Sequence, residues 1–201
     1  MAVLSFLESR NVPYYVHAGY ALHLHGLEGG LDDIDIRIVP EREDVLDELG
    51  KYFSKRSTMQ IDRVFSKGIY SGPCLTIAGK IDICARIAPQ VDIGMVPFPF
   101  DEDQGICHKR HLARENLPVA SLENLLLYYL VLRRGEEDDK KDAQHIRSLL
   151  AHKGFSERNF MKLICELPQR EAILEIYKEY KALNVAVRIP KCSGQRGLLS
   201  P

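Results

Sequence analysis

Ile34, Ile36 and Ile38 alternate with Asp33, Asp35 and Arg37, the period-two spacing of a strand with one buried and one charged face. Upstream, Val3, Leu4 and Leu7 give a short helical pattern over Ala2 to Arg10 that stops at Asn11-Val12-Pro13. The β-formers Tyr14 to His17 then predict a strand, Ala18-Gly19 a tight turn, and Tyr20 to His25 a helix, with Glu28-Gly29-Gly30 looping back. Downstream, Val45, Leu46 and Leu49 mark one face of a helix over Pro40 to Phe53. Short β-rich runs follow at Ile61 to Phe65, Leu75 to Ile77 and Ile81 to Ile87, separated by glycine-containing turns.

From Ala88 to Asn116 the periodicity breaks down around Pro89, Pro97, Pro99 and Gly105, and this stretch reads as irregular, a loop over a site. Leu122 to Leu132 is apolar enough for a buried helix, opened by Ser121 with Asn124 three residues on as half of a capping box. Helical spacing recurs over Asp142 to His152, Glu157 to Leu167 and Arg170 to Leu183. The predicted fold class is mixed α/β: a small mixed β-sheet with flanking helices and a helical C-terminal part. The division falls at a core of residues 1–117 and a helical region of 118–201 ending in a flexible basic tail, where Lys181, Arg188, Lys191 and Arg196 have no acidic neighbours.

Composition narrows the setting. Apolar residues make up 45% of the 201-residue chain and charged residues 27%, values of a globular protein with a sizeable core rather than a disordered one. A formal net charge of -1 supplies no overall positive field for a polyanion, so any such site must be a local patch. Met1 to Leu7 lacks the basic flank of a secretory signal, the longest apolar run is far short of a membrane span, and the five cysteines form no CxxC pair. No membrane association, reduced thiols and a cytoplasmic location are expected.

The candidate chemistry lies in the carboxylates. At a rise of about 3.3 Å per residue, Asp33 and Asp35 project from one strand face with origins about 7 Å apart. Two acids so placed repel one another until a hard cation stands between them, and magnesium accepts oxygen ligands while keeping positions for phosphate and water. Asp82, between Ile81 and Ile83, faces away from a buried side in the same manner and completes a set of three if its strand lies alongside. Asp92 is the alternative third acid if it does not.

The series Val16-His17-Ala18-Gly19-Tyr20-Ala21-Leu22, then His25-Gly26, then Asp33-Ile34-Asp35-Ile36, with Lys80-Ile81-Asp82-Ile83 later, resembles the signature of the nucleotidyltransferase superfamily that includes DNA polymerase β and the minimal nucleotidyltransferases. Leu117 to Leu125, followed by Lys141-Asp142 and Ile146, is similar to the helical part of the AbiEii-type toxin branch, so the resemblance spans residues 12 to 150. It implies Asp33, Asp35 and Asp82 as catalytic metal ligands for two magnesium ions. A nucleoside triphosphate, ATP first, would rest against Ala18 and Gly19, with Lys141 and Arg37 as further phosphate contacts or, for Arg37, a screen for the acids.

The implied reaction moves a nucleoside monophosphate onto a hydroxyl of a protein or RNA acceptor, tRNA among them, in a toxin–antitoxin pair with its own antitoxin partner. The chain departs from the pattern in several places. Ala18 replaces the first glycine, Gly29 and Leu31 stand where relatives have Arg-x-Thr, the lysine of the Leu125 to Leu132 helix is missing, and His145 replaces a second acid. Those losses define the alternative, a catalytically inactive relative that binds a nucleotide or a partner.

Overall fold

The alternation predicted around Asp35 is realised as the central strand of a mixed sheet. The computed structural model describes residues 2–55, 61–64, 72–100, 105–111, 114–134 and 141–188. Its elements run α1 (Ala2–Ser9), β1 (Tyr14–His17), α2 (Ala18–Leu24), β2 (Ile34–Ile38), a 3-10 turn (Pro40–Arg42), α3 (Val45–Ser54), β3 (Ile61–Val64), β4 (Cys74–Ile77), β5 (Ile81–Cys84), β6 (Gln90–Val91), β7 (Gly94–Met95), β8 (Ile106–His111), β9 (Arg114–Ala120), α4 (Leu122–Leu132), α5 (Asp142–Ala151), α6 (Glu157–Ile164) and α7 (Arg170–Arg188). The main sheet has the order β3-β4-β5-β2-β1-β9-β8, with β6 and β7 forming a separate hairpin. The β2/β5 and β1/β9 pairs are parallel and the other neighbours antiparallel, a mixed α/β arrangement as predicted.

Each face of this sheet has its own chemistry because strand side chains alternate. Ile36, Ile38, Leu75, Ile77 and Ile83 are buried on the side covered by α1 and α3, whose Val3, Leu4, Leu7, Val45, Leu46 and Leu49 are buried as well. Removing such a side chain from water contributes roughly 1.5–3 kcal/mol, and this layer supplies much of the force that sets the register. A one-residue slip of β2 would bury Asp35 and Arg37 among these isoleucines. An apolar cavity of about 280 Å³, lined by Val16, Ile34, Ile36, Ile77 and Ile81 among others, also lies on this side, behind the acids.

The opposite face is covered by α4, whose residues 122–131 are all buried, and by the extended segment at Phe98 to Phe100. Ser121 accepts a hydrogen bond from the Asn124 amide at 3.1 Å, the predicted half capping box. Glu123, although buried, accepts from the Ser156 amide at 2.7 Å and so ties α4 to the start of α6.

The structure corrects one stretch. Residues expected to be irregular between Ala88 and Asn116 contain β6, β7, β8 and the start of β9, and β9 joins β1 in parallel through Val16 and Val119. Pro118 sits within β9, opposite His108 of β8. The basic tail beyond residue 188 and the charged run at 136–140 lie outside the described residues. No helix among the described residues is long and apolar enough to cross a membrane.

Candidate active site

Strand register assembles the site. Asp35 of β2 is paired with Asp82 of β5, Asp82 in turn with Thr76 of β4, and Asp35 with His17 of β1. Thr76, Asp82, Asp35 and His17 therefore form one polar row crossing the middle of the sheet on its α4 side. A second row, Cys74, Cys84, Arg37 and Tyr15, runs beside it. Asp33 lies one residue before β2, exposed and two residues along the chain from the row, next to the point where the Ile34 amide donates to the Lys80 carbonyl at 2.8 Å.

Asp35 and Asp82 are both half-buried and belong to neighbouring strands, a placement that sets like charges side by side. Among the described residues no three His, Cys, Asp or Glu side chains stand close enough to form a ready metal cage. The donor chemistry of the pair nevertheless suits magnesium, which is commonly bound by one or two carboxylates and completes its shell with water and substrate phosphate. Asp92, the alternative third acid, is occupied elsewhere: both its oxygens accept from Arg133 at the end of α4.

Arg37 is only 1% exposed, and both terminal nitrogens of its guanidinium are spent on the fold. Nη1 donates to the Tyr15 hydroxyl at 2.9 Å and to the Pro99 carbonyl at 3.0 Å, and Nη2 donates to the Phe98 carbonyl. The cation lies beside the adjoining Tyr15 and Phe100 rings, 5.9 and 5.7 Å from their centroids. Nε is buried without a hydrogen-bond partner, and at 1% exposure the side chain offers a phosphate no open approach, an arrangement compatible with the screening role expected for Arg37 beside Asp35.

His17 shows how far that charge reaches. Burial first, and the Arg37 cation second, push its pKa down to about 3, although the bond between Nε2 and Asn124 Oδ1 at 3.2 Å acts the other way. The ring also meets Tyr128 edge-on at 4.6 Å. A histidine protonated more readily unfolded than folded adds stability that is complete above pH 6.5 and lost as pH falls toward 3. Urea unfolding should therefore show a loss of about 2 kcal/mol between pH 7 and pH 5 that the His17→Gln variant lacks, at roughly 1.4 kcal/mol per pH unit. Parallel pH dependences for the two proteins would contradict this.

Ala18 has φ +51°, the left-handed conformation that glycine adopts freely and alanine does not. A glycine would take up this turn without strain. Ala18→Gly should raise stability by about 1 kcal/mol in chemical denaturation, and a fall would show that the alanine methyl packs usefully. The following Gly19 is roofed: a Cβ built there would be 3.0 Å from the Gly30 amide nitrogen. A Cβ at Gly29 would lie 2.1 Å from the Gly19 carbonyl oxygen, so the loop backbone rests directly on the seven-residue α2. This close approach explains why a side chain such as arginine cannot occupy position 29.

Residues of the helical part stand beside the acids, among them Lys141, Asp142 and His145, which the sequence had marked, and Tyr128, Tyr129 and Arg134, to which it had assigned no role. Burial, together with the nearby carboxylates of Asp142, Asp35 and Asp33, keeps the Tyr129 hydroxyl well above its ordinary pKa, and Tyr128 is raised by burial and Asp35. His145 packs on Tyr129 at 4.9 Å, and its pKa is lowered chiefly by burial. Asp142 is buried and is held by the Arg134 amide at 2.8 Å and by its guanidinium at 3.1 and 3.2 Å. Lys141 is exposed and reaches Glu28 of the α2–β2 loop at 3.1 Å, with Gln144 on the other Glu28 oxygen at 2.7 Å.

The fold is that of the nucleotidyltransferases. The chain superposes on the solution structure of the antibiotic-resistance factor ANT(2'')-Ia with a TM-score of 0.51 and 15% identity, over 92% of this chain and 90% of that one. The crystal structure of ANT(2'')-Ia with adenylyl-2''-tobramycin gives 0.50 and 16%, over 90% and 94%. An antigenic nucleotidyltransferase-like protein from Paracoccidioides brasiliensis gives 0.52 and 16%, over 92% and 88%. No protein-family model matches the chain, and no curated protein matches it.

Proposed function

We propose that this protein is a metal-dependent nucleotidyltransferase, and that Asp35 and Asp82, with Asp33 at the edge of the row, hold magnesium against the phosphates of a nucleoside triphosphate. The observation that supports it most is the direct pairing of Asp35 with Asp82 on adjacent parallel strands of a nucleotidyltransferase fold. Magnesium bound there would neutralise phosphate charge and acidify an acceptor hydroxyl. In the transfer, the acceptor oxygen forms a bond to the α-phosphorus, the bond to the β-phosphate oxygen breaks, and pyrophosphate leaves. Asp82 acts either as the base that takes the acceptor proton or through the metal alone, while Arg37 provides a fixed positive charge beside Asp35.

ATP is the first nucleotide to test, with Lys141 released from Glu28 to meet its phosphates. The acceptor is assigned to a protein or RNA hydroxyl, tRNA included, and the AbiEii-like pattern extends this to a toxin acting in the cytoplasm with an antitoxin. The adenylyl-2''-tobramycin held by ANT(2'')-Ia adds a small polyol as a further acceptor class to test. A second reading, a silent nucleotide-binding relative, is favoured by one observation: Gly30 roofs the turn at Gly19 where phosphates would approach.

Incubation with α-labelled ATP and magnesium, in separate arms containing lysate protein, tRNA or an aminoglycoside, separates these readings. Label transferred in any arm and lost in Asp35→Asn supports the enzyme. Binding of magnesium-ATP by calorimetry with no label in any arm supports the silent relative. Absence of both overturns the assignment.

A further inference from the structure

Strand β4 is buried along its whole length, with Cys74, Leu75 and Ile77 at 0–1% exposure, and a single hydroxyl, that of Thr76, interrupts it. Valine has the same shape and serves a strand equally well, so packing gives no reason for the oxygen. A buried hydroxyl without a partner costs about 1–3 kcal/mol. Here it has one: Thr76 Oγ1 donates to Asp82 Oδ1 at 2.6 Å. That separation falls in the range of an O–H donor bonded to an ionised carboxylate, about 2.5–2.7 Å.

We propose that Thr76 is a positioning residue for Asp82: its hydroxyl fixes one carboxylate oxygen from the β4 side and so turns the other toward Asp35 and the bound cation. This rests on the reading of Asp35 and Asp82 as metal ligands. The geometry is economical because β5 lies between β4 and β2, so Asp82 has Thr76 on one flank and Asp35 on the other in the same row. Thr76 is also the stiffer choice over serine, since its β-branch restricts χ1 and holds the donor in place. That bond restrains the Asp82 carboxylate against rotation away from its like-charged neighbour.

The test is Mn²⁺ binding, followed by the electron-spin resonance of free Mn²⁺ in the presence of a non-hydrolysable ATP analogue, for wild type, Asp35→Asn, Thr76→Val and Thr76→Ser. Thr76→Val should weaken Mn²⁺ affinity by about tenfold or more, the effect typical of a group that orients a metal ligand. Thr76→Ser should stay within about threefold of wild type by keeping the hydroxyl. Thermal unfolding is followed in parallel, and Thr76→Ala serves as the hydroxyl-free variant if the valine protein does not fold. Wild-type affinity in the hydroxyl-free variant, or equal losses in the serine and hydroxyl-free variants, overturns the role of Thr76. If wild type and Asp35→Asn bind Mn²⁺ alike, the metal-ligand reading itself has failed and Thr76 with it.

Discussion

Asp35→Asn should abolish nucleotide transfer, by about a thousandfold or more, while leaving the protein as stable as wild type or slightly more so. The first half follows from removing a charged oxygen at the point where phosphate charge must be neutralised, a loss of several kcal/mol in the transition state. The second half follows from the register: Asp35 and Asp82 are paired on neighbouring strands, and asparagine relieves that repulsion at almost unchanged volume. Activity and thermal unfolding measured on the same preparation check both halves together. A protein that loses activity because it unfolds would not support the assignment, and one that stays active would contradict it.

Arg134→Ala should destabilise the protein by about 3 kcal/mol, the effect of leaving a buried carboxylate with too few partners. Asp142 is 1% exposed and receives three hydrogen bonds from residue 134, two of them from the guanidinium. The backbone amide survives the substitution, which places the expected cost at the low end for a broken buried pair. For a chain of this size that amounts to a fall in Tm of roughly 6–12 °C. Arg134→Ala combined with Asp142→Asn should recover part of the loss, because the stranded charge is then gone. A double variant no better than Arg134→Ala would show that the arginine acts through its packing over the Tyr128 ring, 5.8 Å away, instead.

Much of the centre of the fold was legible in the chain because burial enforces alternation there. Ile34, Ile36 and Ile38 announced β2, Ile81 and Ile83 announced β5, and the unbroken apolar run of Leu125 to Leu132 announced α4. The hairpin of β8 and β9 was not legible, for physical reasons. Its segments, Ile106–His111 and Arg114–Ala120, are rich in charge, as suits β8 at the edge of the sheet, and Pro118 reads as a breaker when its neighbours in space are unknown. The start of α2 was placed at Tyr20 and not at Ala18 because the left-handed backbone at residue 18 is disguised by a non-glycine.

The same limit applies to the site. Alternation could say that Asp82 faces away from a buried side, but the neighbour of its strand is a matter of register that no local pattern encodes. Thr76 and His17, which flank the acids in the row, therefore carried no recognisable signal. Arg37 illustrates the reverse case: its spacing from Asp35 gave the correct face, yet only the approach of Phe98 and Pro99 shows where its two terminal nitrogens are bonded.

The most direct test of the central claim is a crystal structure with magnesium and a non-hydrolysable ATP analogue. The account predicts the cation bound by carboxylate oxygens of both Asp35 and Asp82 and by a phosphate oxygen of the nucleotide. A nucleotide bound at any other place on the molecule, or a cation that touches neither of these aspartates, would contradict it.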